Sequence, residues 1–386
     1  MKLNKNIIIL ALTLIVAMLG FGMVIPIMPF YIEKLGASGS DLGLLMASYG
    51  VMHLIFSPLW GRLSDRIGRK PVIFIGMLGS GLAVLFFGLA TELWMLFAAR
   101  ILSGILSSAT SPAAMAYISD STSPRERSGG IGILSAALGL GMILGPALGG
   151  LLAMDSLATP FFIAAGLSFV TLILILFFLP ESHSLAARKK FQETEAGLHF
   201  KGLRHALAGS LGLLFFLAFL LSFGLTNFEG IFGLYALEKF NYGPEQIGVI
   251  FTVIALIATV TQGVLTGPLA KKFGEVKVIK ASLLLGAVGF LLMLIPEGYP
   301  AVLLTTGFFV LSVTLLRPAV LALVSKKSGP RQGETLGLVN SFMSLGRIAG
   351  PIWAGFLFDW NYNYPYFSGA LILLAGFLVA LVKLHR

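Results

Sequence analysis

The sequence of 386 residues has no cysteine, and only 11% of its residues are charged. The absence of cysteine excludes a disulfide framework, thiol chemistry and any metal site that depends on thiolates. Soluble proteins carry roughly 25% charged residues, so these charges are too sparse to cover the surface of soluble domains. The chain is instead 57% hydrophobic. This composition indicates an integral membrane protein.

Motifs that carry enzyme chemistry are also missing. The sequence has no Walker A pattern and no HExxH, and its five histidines lack the HxxxH spacing of a metal site. We therefore predict no enzyme activity, no metal site and no cofactor. His53 is the one histidine within an apolar span. It is interpreted either as a packed neutral imidazole or as a pH sensor.

Long apolar runs divide the chain into twelve segments, each near the 20 or so residues that a helix needs to cross the hydrocarbon. The first run continues from Ile7 to Tyr31, which is too long for a signal peptide, and no small-residue cleavage site follows it. The sequence predicts an all-α membrane protein with twelve transmembrane helices. The predicted spans are 7–31, 42–61, 71–91, 94–119, 130–153, 160–179, 208–237, 246–267, 278–296, 301–325, 334–358 and 364–383.

Basic residues are distributed unevenly between the two sets of loops. The termini and the even-to-odd loops contain 22 Lys and Arg residues, whereas the other side has only Lys34 and Lys239. By the positive-inside rule, we predict a multi-pass protein of the cell membrane with both termini in the cytoplasm. The basic residues would face anionic lipids of the inner leaflet, which accounts for the net charge of +10 without a nucleic-acid partner.

The two halves of the chain repeat a set of short motifs at a constant offset of 205 or 206 residues. The repeated pairs are Gly61 with Gly267, Gly68 with Gly274, Pro112-Ala113 with Pro318-Ala319, Gly145-Pro146 with Gly350-Pro351, Gly43 with Gly248, and Glu33-Lys34 with Glu238-Lys239. We predict two six-helix bundles, 1–180 and 207–386, joined by a polar cytoplasmic linker, 181–206. Parallel repeats of this kind are typical of secondary transporters, whose substrate site lies near the membrane midplane.

Three motifs resemble a known family. GRLSDRIGRK (Gly61–Lys70), GLGMILGPALGG (Gly139–Gly150) and FGMVIPIMP (Phe21–Pro29) resemble the conserved loop, the fifth-helix antiporter motif and the first-helix motif of the major facilitator superfamily. The match is to its twelve-helix drug–proton antiporters. Over its full length, especially at SFGLTNFEGIFGLY and LLRPA, the chain is similar to bacterial quinolone and multidrug efflux transporters of the NorA type. The resemblance implies two pseudo-symmetric six-helix bundles.

The loop and fifth-helix motifs contain the residues that we expect to control conformational change. In the fifth span, three glycines recur every four residues and share one helix face, which permits close packing of two helix backbones. That face is interpreted as static packing, as a moving contact between halves, or as both. Asp65 is predicted to act as a latch between helices, by pairing with a base or by capping a helix N-terminus. The conformational residues are Gly61, Asp65, Arg66, Gly68, Arg69, Gly141, Gly145, Pro146, Gly149 and Gly150.

Charged residues within the spans are few: Arg100, Glu229, Arg317 and, nearer the cytoplasmic side, Arg347. Ionisable residues inside a membrane are functional hypotheses by default, and a static ion-pair network is the alternative. Burial favours the protonated form of a carboxyl group, so Glu229 can exchange a proton for a cation. The resemblance implies that Glu229 serves proton coupling and cation binding, together with Arg100 and Arg317.

The chain departs from its relatives at one position of the tenth span. Thr314 stands where the resemblance leads us to expect an aspartate, three residues before Arg317. Proton coupling through membrane carboxylates would then depend on Glu229 alone, with at most one proton per cycle. The same change leaves neutral and zwitterionic substrates open.

The predicted substrate-binding residues are mostly aromatic or flexible, because such side chains suit promiscuous binding. They are Glu229, Phe223, Phe228, Phe232, Tyr235, Met18, Met115, Asn340 and Thr314.

The function predicted from these features is proton-coupled multidrug efflux. The antiporter would export lipophilic, often cationic or zwitterionic drugs, such as quinolones and dyes, by alternating access. The proton gradient would supply the energy, and we expect a monomer. The alternative is a secondary transporter of a narrower metabolite such as a sugar, which would require several polar residues to converge within the membrane.

Overall fold

The computed structural model describes residues 4–183, 211–328 and 332–384. All the regular structure in these ranges is helical. Helical segments separated by a single irregular turn are counted as one helix, which gives twelve helices. The prediction of twelve helical spans is confirmed. Most of the predicted linker, residues 184–206, lies outside the described residues.

The first six helices are α1 (Lys5–Lys34), α2 (Gly39–Ile67), α3 (Arg69–Leu89), α4 (Leu93–Ser121), α5 (Pro124–Leu152) and α6 (Thr159–Phe178). The remaining six are α7 (Gly212–Phe240), α8 (Pro244–Phe273), α9 (Glu275–Leu292), α10 (Tyr299–Lys327), α11 (Gln332–Trp360) and α12 (Tyr364–Lys383). Ten of these helices, all except α9 and α11, are long and apolar enough to cross a membrane unaided. Helices satisfy their backbone hydrogen bonds internally, which a chain in lipid must do.

Two prolines related by the sequence repeat interrupt corresponding helices. A proline ring removes the hydrogen bond to the carbonyl four residues earlier and clashes with it. Pro112 accordingly follows a 3₁₀ turn at Ser107–Ala109 in α4, and Pro318 follows a break at Leu315 in α10. The internal repeat therefore extends from the motifs to helix geometry.

The described residues form two compact units. Unit 1 draws on residues 4–37, 48–183 and 242–252, and unit 2 on residues 38–47, 211–241, 253–328 and 332–384. The units differ from the two predicted bundles in the short segments Ser38–Ala47 and Tyr242–Thr252. The bundle boundaries at 180 and 207 remain a prediction.

Contacts at the start of α2 explain why Ser38–Ala47 groups with unit 2. Asp359 accepts hydrogen bonds from the backbone N–H of Gly39 at 2.7 Å and of Ser40 at 3.0 Å. A carboxylate at this position satisfies two of the unpaired N–H groups of the first helical turn. Four residues later, Gly43 packs against the backbone of Pro351 with no space for a side chain.

In unit 1, the glycine face of α5 packs directly on α1. A Cβ atom added to Gly141 would lie 2.6 Å from the carbonyl oxygen of Ile15, and one added to Gly145 would lie 2.8 Å from the Cα of Gly22. Only glycine allows the two backbones to approach this closely. A Cβ added to the third glycine, Gly149, would lie 3.0 Å from the Cα of Met23. All three predicted glycines therefore pack against α1 of their own unit.

Unit 2 repeats this arrangement between α11 and α7. A Cβ atom added to Gly350 would lie 2.6 Å from the carbonyl oxygen of Phe223 and 2.5 Å from Thr226 Oγ1. Gly346, one turn earlier, packs equally closely on the carbonyl oxygen of Phe219. The α1–α5 and α7–α11 pairs are therefore equivalent contacts in the two halves of the repeat.

Candidate transport site

A polar cavity of about 540 Å³ lies within unit 2, among α7, α8, α10 and α11. The lining residues are Leu221, Ser222, Leu225, Thr226, Glu229, Gln262, Thr314, Arg317, Met343 and Arg347. The cavity thus combines one carboxylate, two guanidinium groups, one amide and a small number of apolar side chains.

Helical spacing directs Glu229 to this cavity. Ser222, Leu225, Thr226 and Glu229 recur at three- and four-residue intervals on α7, so they share one face of the helix. Thr226 donates a hydrogen bond from Oγ1 to the carbonyl oxygen of Ser222 at 2.8 Å. Arg347 interacts electrostatically with the Glu229 carboxylate. A proton or a ligand cation would therefore compete with a guanidinium for this carboxylate.

The break in α10 positions Thr314 and Arg317 along the cavity. Thr314 lies just before Leu315, and its Oγ1 donates to the carbonyl oxygen of Val310 at 2.7 Å. Arg317 follows the break, and its side chain is exposed on the cavity wall. Three residues predicted from the sequence, Glu229, Arg317 and Thr314, are thus brought together in one cavity.

Seven of the ten lining residues were not among the predicted site residues: Leu221, Ser222, Leu225, Thr226, Gln262, Met343 and Arg347. Arg347 was recognised as a charge within a span, but not as a member of the site. Gln262 lies in a five-residue π-helical turn, Thr261–Leu265, and Thr266, which directly follows the turn, donates from Oγ1 to the carbonyl oxygen of Thr261 at 2.8 Å. Such turns occur frequently at functional sites, and they shift the helix register in a way that sequence periodicity does not reveal.

The predicted aromatic residues of α7 lie elsewhere. Phe228 and Phe232 are buried with ring centroids 4.9 Å apart, and Phe228 also contacts Phe309 at 5.2 Å. Tyr235 donates to the carbonyl oxygen of Met293 at 3.1 Å. The side chains lie in the packed interior of unit 2. They do not line the cavity.

Three further predicted substrate residues are also absent from this lining. Phe223 is buried on α7, with its backbone against Gly346 and Gly350 of α11. Met115 packs against the apolar core of unit 1. Asn340 is exposed on α11, and its carbonyl oxygen accepts a hydrogen bond from Ser344 at 2.9 Å. Residue type therefore did not identify most of the side chains that share the cavity of Glu229.

A second cavity, of about 650 Å³, lies within unit 1. Arg100, which is only 2% exposed, lines it together with Met18 and His53. The His53 ring lies 5.7 Å from the ring of Tyr49. Arg100 thus belongs to a cavity of its own, whereas Arg317 shares the cavity of Glu229.

The junction of α2 and α3 holds a cluster of charges in unit 1. Arg69 pairs with Asp65 at 2.6 Å and donates from Nε to Asp120 at 2.8 Å and from Nη1 to Ser64 at 2.7 Å. Arg66 of the same motif is exposed. The predicted pairing of Asp65 with a base is thus present, and Arg69 also binds Asp120 of α4, which the prediction did not include.

Glu181 caps the N-terminus of α3, a role that was considered for Asp65. Its carboxylate accepts hydrogen bonds from the backbone N–H of Arg69 at 2.9 Å and of Lys70 at 3.2 Å. His183 lies 3.4 Å from Asp120 through Nδ1. Asp65 is a turn too early to reach these N–H groups, because it precedes Gly68 on α2.

Gly68 and Gly274 end α2 and α8 with positive φ angles, 109° and 81°. With ψ of 163° and 150°, both residues lie in a region that only glycine occupies readily. Gly61 of the same motif has open space beside its Cα.

A helical membrane protein with polar cavities inside its bundles has the architecture of a membrane transporter. Among the described residues, no group of three or more His, Cys, Asp or Glu side chains could hold a metal ion. The sequence model of the Major Facilitator Superfamily matches residues 10–228 and 214–386, and the chain belongs to this superfamily of transporters. It is a multi-pass membrane transporter and not an enzyme.

Two bacterial relatives resemble the chain over nearly its whole length. Multidrug resistance protein 2 of Bacillus subtilis is 36% identical over 376 residues, which cover 97% of this chain and 94% of the relative. The quinolone resistance protein NorA of Staphylococcus aureus is 31% identical over 385 residues, which cover 100% of this chain and 98% of NorA.

Solved structures agree on the fold. The nucleoside transporter NupG matches with a TM-score of 0.80 at 16% identity, covering 99% of this chain and all of that one. The human organic anion transporter MFSD10 matches with a TM-score of 0.66 at 23% identity, and the match covers 97% of this chain and 99% of MFSD10. At these identities the likeness concerns the fold alone.

Proposed function

We propose that the chain is a proton-coupled multidrug efflux transporter that exports lipophilic cationic or zwitterionic drugs, such as quinolones and dyes. The single observation that carries the proposal is the cavity of unit 2, in which Glu229 is the one carboxylate among ten lining residues. The names of the relatives, a multidrug resistance protein and a quinolone resistance protein, support the same class of substrates.

Exchange takes place at the Glu229 carboxylate. When protonated, Glu229 is neutral and has little attraction for a drug cation or for the Arg347 guanidinium. Loss of the proton leaves a charge that either cation can neutralise, and a charge in apolar surroundings requires such a partner. Proton and drug therefore occupy the site alternately, which couples drug export to proton entry.

Thr314 limits the stoichiometry. It lines the Glu229 cavity but has no ionisable group, so this route carries at most one proton per cycle. Exchange of one proton for one monovalent cation moves no net charge. Export of a monocation then depends on the pH gradient and not on the membrane potential.

The proposal includes the position of the protein in the cell. The bacterial relatives and the excess of basic residues in the even-to-odd loops support a cell-membrane location with both termini in the cytoplasm. Anionic lipids of the inner leaflet would bind these basic residues. The protein would act as a monomer, with the proton gradient as its energy source.

The test uses everted membrane vesicles with an imposed proton gradient. Ethidium and norfloxacin transport is measured for the native protein, for Glu229→Gln and for Glu245→Gln, an exposed control in the first turn of α8. We expect the native protein and Glu245→Gln to transport both drugs and Glu229→Gln to lose gradient-driven transport. Equal transport by native protein and Glu229→Gln would contradict a coupling role for Glu229.

A narrower-metabolite transporter is the second candidate. It is favoured by the polar side chains that converge in the Glu229 cavity, among them Gln262, Arg317 and Arg347. If the native protein transports neither drug under a gradient, the multidrug proposal is wrong. Uptake of polar metabolites should then be screened in the same vesicles.

A further inference from the structure

The Glu229 cavity contains one more positive charge than negative charge. Glu229 is the one acidic residue among the ten that line it, whereas Arg317 and Arg347 both contribute guanidinium groups. Arg347 interacts electrostatically with the Glu229 carboxylate. This pairing accounts for one guanidinium and leaves the positive charge of Arg317 uncompensated among the lining residues.

The Arg317 side chain is accessible to a ligand. It is exposed, it lines the cavity, and within the part of the chain that the structure describes its guanidinium has no hydrogen bond and no ion pair. Ionisable side chains within a membrane protein's spans almost always pair with another group. A ligand that carries a negative charge would supply the missing partner.

Thr314 is the reason that Arg317 lacks a carboxylate on its own helix. The Thr314 side chain lines the same cavity, and its Oγ1 donates to the carbonyl oxygen of Val310 at 2.7 Å. Residues three apart on a helix are neighbours, so the aspartate that the resemblance leads us to expect at this position would neutralise the guanidinium. A threonine has no charge with which to do so.

Gln262 provides a second, independent observation. This residue of α8 is exposed and lines the cavity, and its amide has no hydrogen bond to any described residue. A guanidinium binds a carboxylate bidentately, and an amide N–H can donate to one of the carboxylate oxygens. The cavity wall therefore offers an unpaired cation and an unpaired neutral donor, the groups that a carboxylate requires.

We infer that Arg317, together with Gln262, binds the carboxylate of zwitterionic substrates while Glu229 binds their amine. The inference rests on the proposed function, because it assigns Arg317 as the residue that determines substrate class in that transporter. A drug with both charges should therefore bind more tightly than a drug with the positive charge alone.

Equilibrium binding to the purified full-length protein tests the inference without a proton gradient. The probes are norfloxacin, its ethyl ester, which lacks the carboxylate charge, and ethidium. We expect the native protein to bind norfloxacin about tenfold or more tightly than the ester, as charge-assisted hydrogen bonds predict. In Arg317→Gln this preference should disappear. In Arg317→Lys, which keeps the charge but not the bidentate geometry, part of the preference should remain.

Substitutions at the neighbouring lining residues test the same charge while Arg317 is still present. Thr314→Asp places a carboxylate three residues before Arg317 and should abolish the preference for the acid over the ester. Thr314→Asn has nearly the same volume as the aspartate variant and no charge, so it should keep the preference. Gln262→Leu removes an amide at similar volume and should reduce the preference by about threefold.

Two controls separate binding from folding. Arg125→Gln makes the same charge change at an exposed position at the start of α5 and should leave the preference intact. Ethidium has no carboxylate, so it should bind Arg317→Gln at least as tightly as the native protein, because the Glu229 cavity becomes less positive. Ethidium binding by a variant also reports that the variant is folded.

The outcomes separate the inference from the function on which it rests. If Arg317→Gln keeps the native preference, or if the native protein binds acid and ester equally, the carboxylate subsite is overturned and multidrug efflux stands. Equal weakening of all three probes in Arg317→Gln and Arg317→Lys would assign Arg317 a structural role and would also overturn it. If the native protein binds none of the drugs, the proposed function fails and the inference fails with it.

Discussion

Arg69 donates from Nε to Asp120 at 2.8 Å, and 206 residues further along the chain Glu275 and Lys326 form the corresponding ion pair with the charges exchanged. Each pair joins the start of the third helix of a repeat to the end of the fourth. The sequence repeat preserves the contact although neither charge is conserved between the halves. Complementarity, and not the identity of either residue, is therefore the property that the two halves share.

The two pairs should contribute unequally to stability. The Arg69 side chain is 8% exposed, whereas that of Lys326 is 63% exposed. Asp120→Asn removes a charge that pairs with the buried Arg69 side chain and should lower the free energy of unfolding by about 1–3 kcal/mol. Lys326→Gln should change it by less than about 1 kcal/mol. Thermal unfolding of both variants in detergent measures the difference, and equal melting temperatures would refute it.

Close packing of α5 on α1 predicts a severe effect of one added methyl group. Gly145→Ala would bring a Cβ within 2.8 Å of the Cα of Gly22 and should destabilise the protein by about 1–3 kcal/mol through overpacking. Gly166→Ala in α6 is the matched control, because nothing lies within 4 Å of the added Cβ. Its melting temperature should equal or exceed that of the native protein. Similar losses in both variants would argue against the α1–α5 contact.

The junction of α8 and α9 allows backbone strain to be measured in isolation. Gly274 and Gly267 both have open space beside their Cα atoms, but only Gly274 has a positive φ angle. Gly274→Ala should therefore cost about 1–3 kcal/mol from strain alone. Gly267→Ala, in the helix, should be neutral or stabilising by up to about 1 kcal/mol. Thermal unfolding compares the two variants. A Gly274→Ala variant with the native melting temperature would exclude a positive φ angle at residue 274.

Because position 314 has no carboxylate, we predict that transport of a monovalent cation moves no net charge across the membrane. In the native protein, ethidium export at a fixed pH gradient should not respond to membrane potential. Thr314→Asp adds a second carboxylate to the Glu229 cavity. Two protons exchanged for one monocation would move one net charge, for which the potential supplies about 2.3 kcal/mol per 100 mV.

Vesicles with a potential set by potassium and valinomycin provide the measurement. Thr314→Asp should gain a dependence on potential, and Thr314→Asn, which has a similar volume and no charge, should not. Potential-dependent ethidium export by the native protein would show that coupling does not depend on one proton at Glu229.

Three of the ten residues that line the Glu229 cavity could be predicted from the sequence. Glu229 and Arg317 could be selected because a charge within an apolar span is rare, and Thr314 because the resemblance placed an acid there. Gln262 could not be selected, since its orientation follows from a π-helical turn that leaves no periodic signal. The aromatic residues near Glu229 in sequence were chosen because aromatic side chains suit promiscuous binding, but they are packed in the interior of unit 2.

The sequence by itself determined the class of protein, the twelve helices and the internal repeat. The thickness of the bilayer sets the length and hydropathy of each helix, and glycines and prolines that recur at a constant offset reveal the repeat directly. Tertiary structure alone decided which side chains share a cavity. Helix breaks, close glycine contacts and the cap from Glu181 arise between segments far apart in sequence. Distances of this kind set the chemistry of Arg100 and Glu229, and no local pattern encodes them.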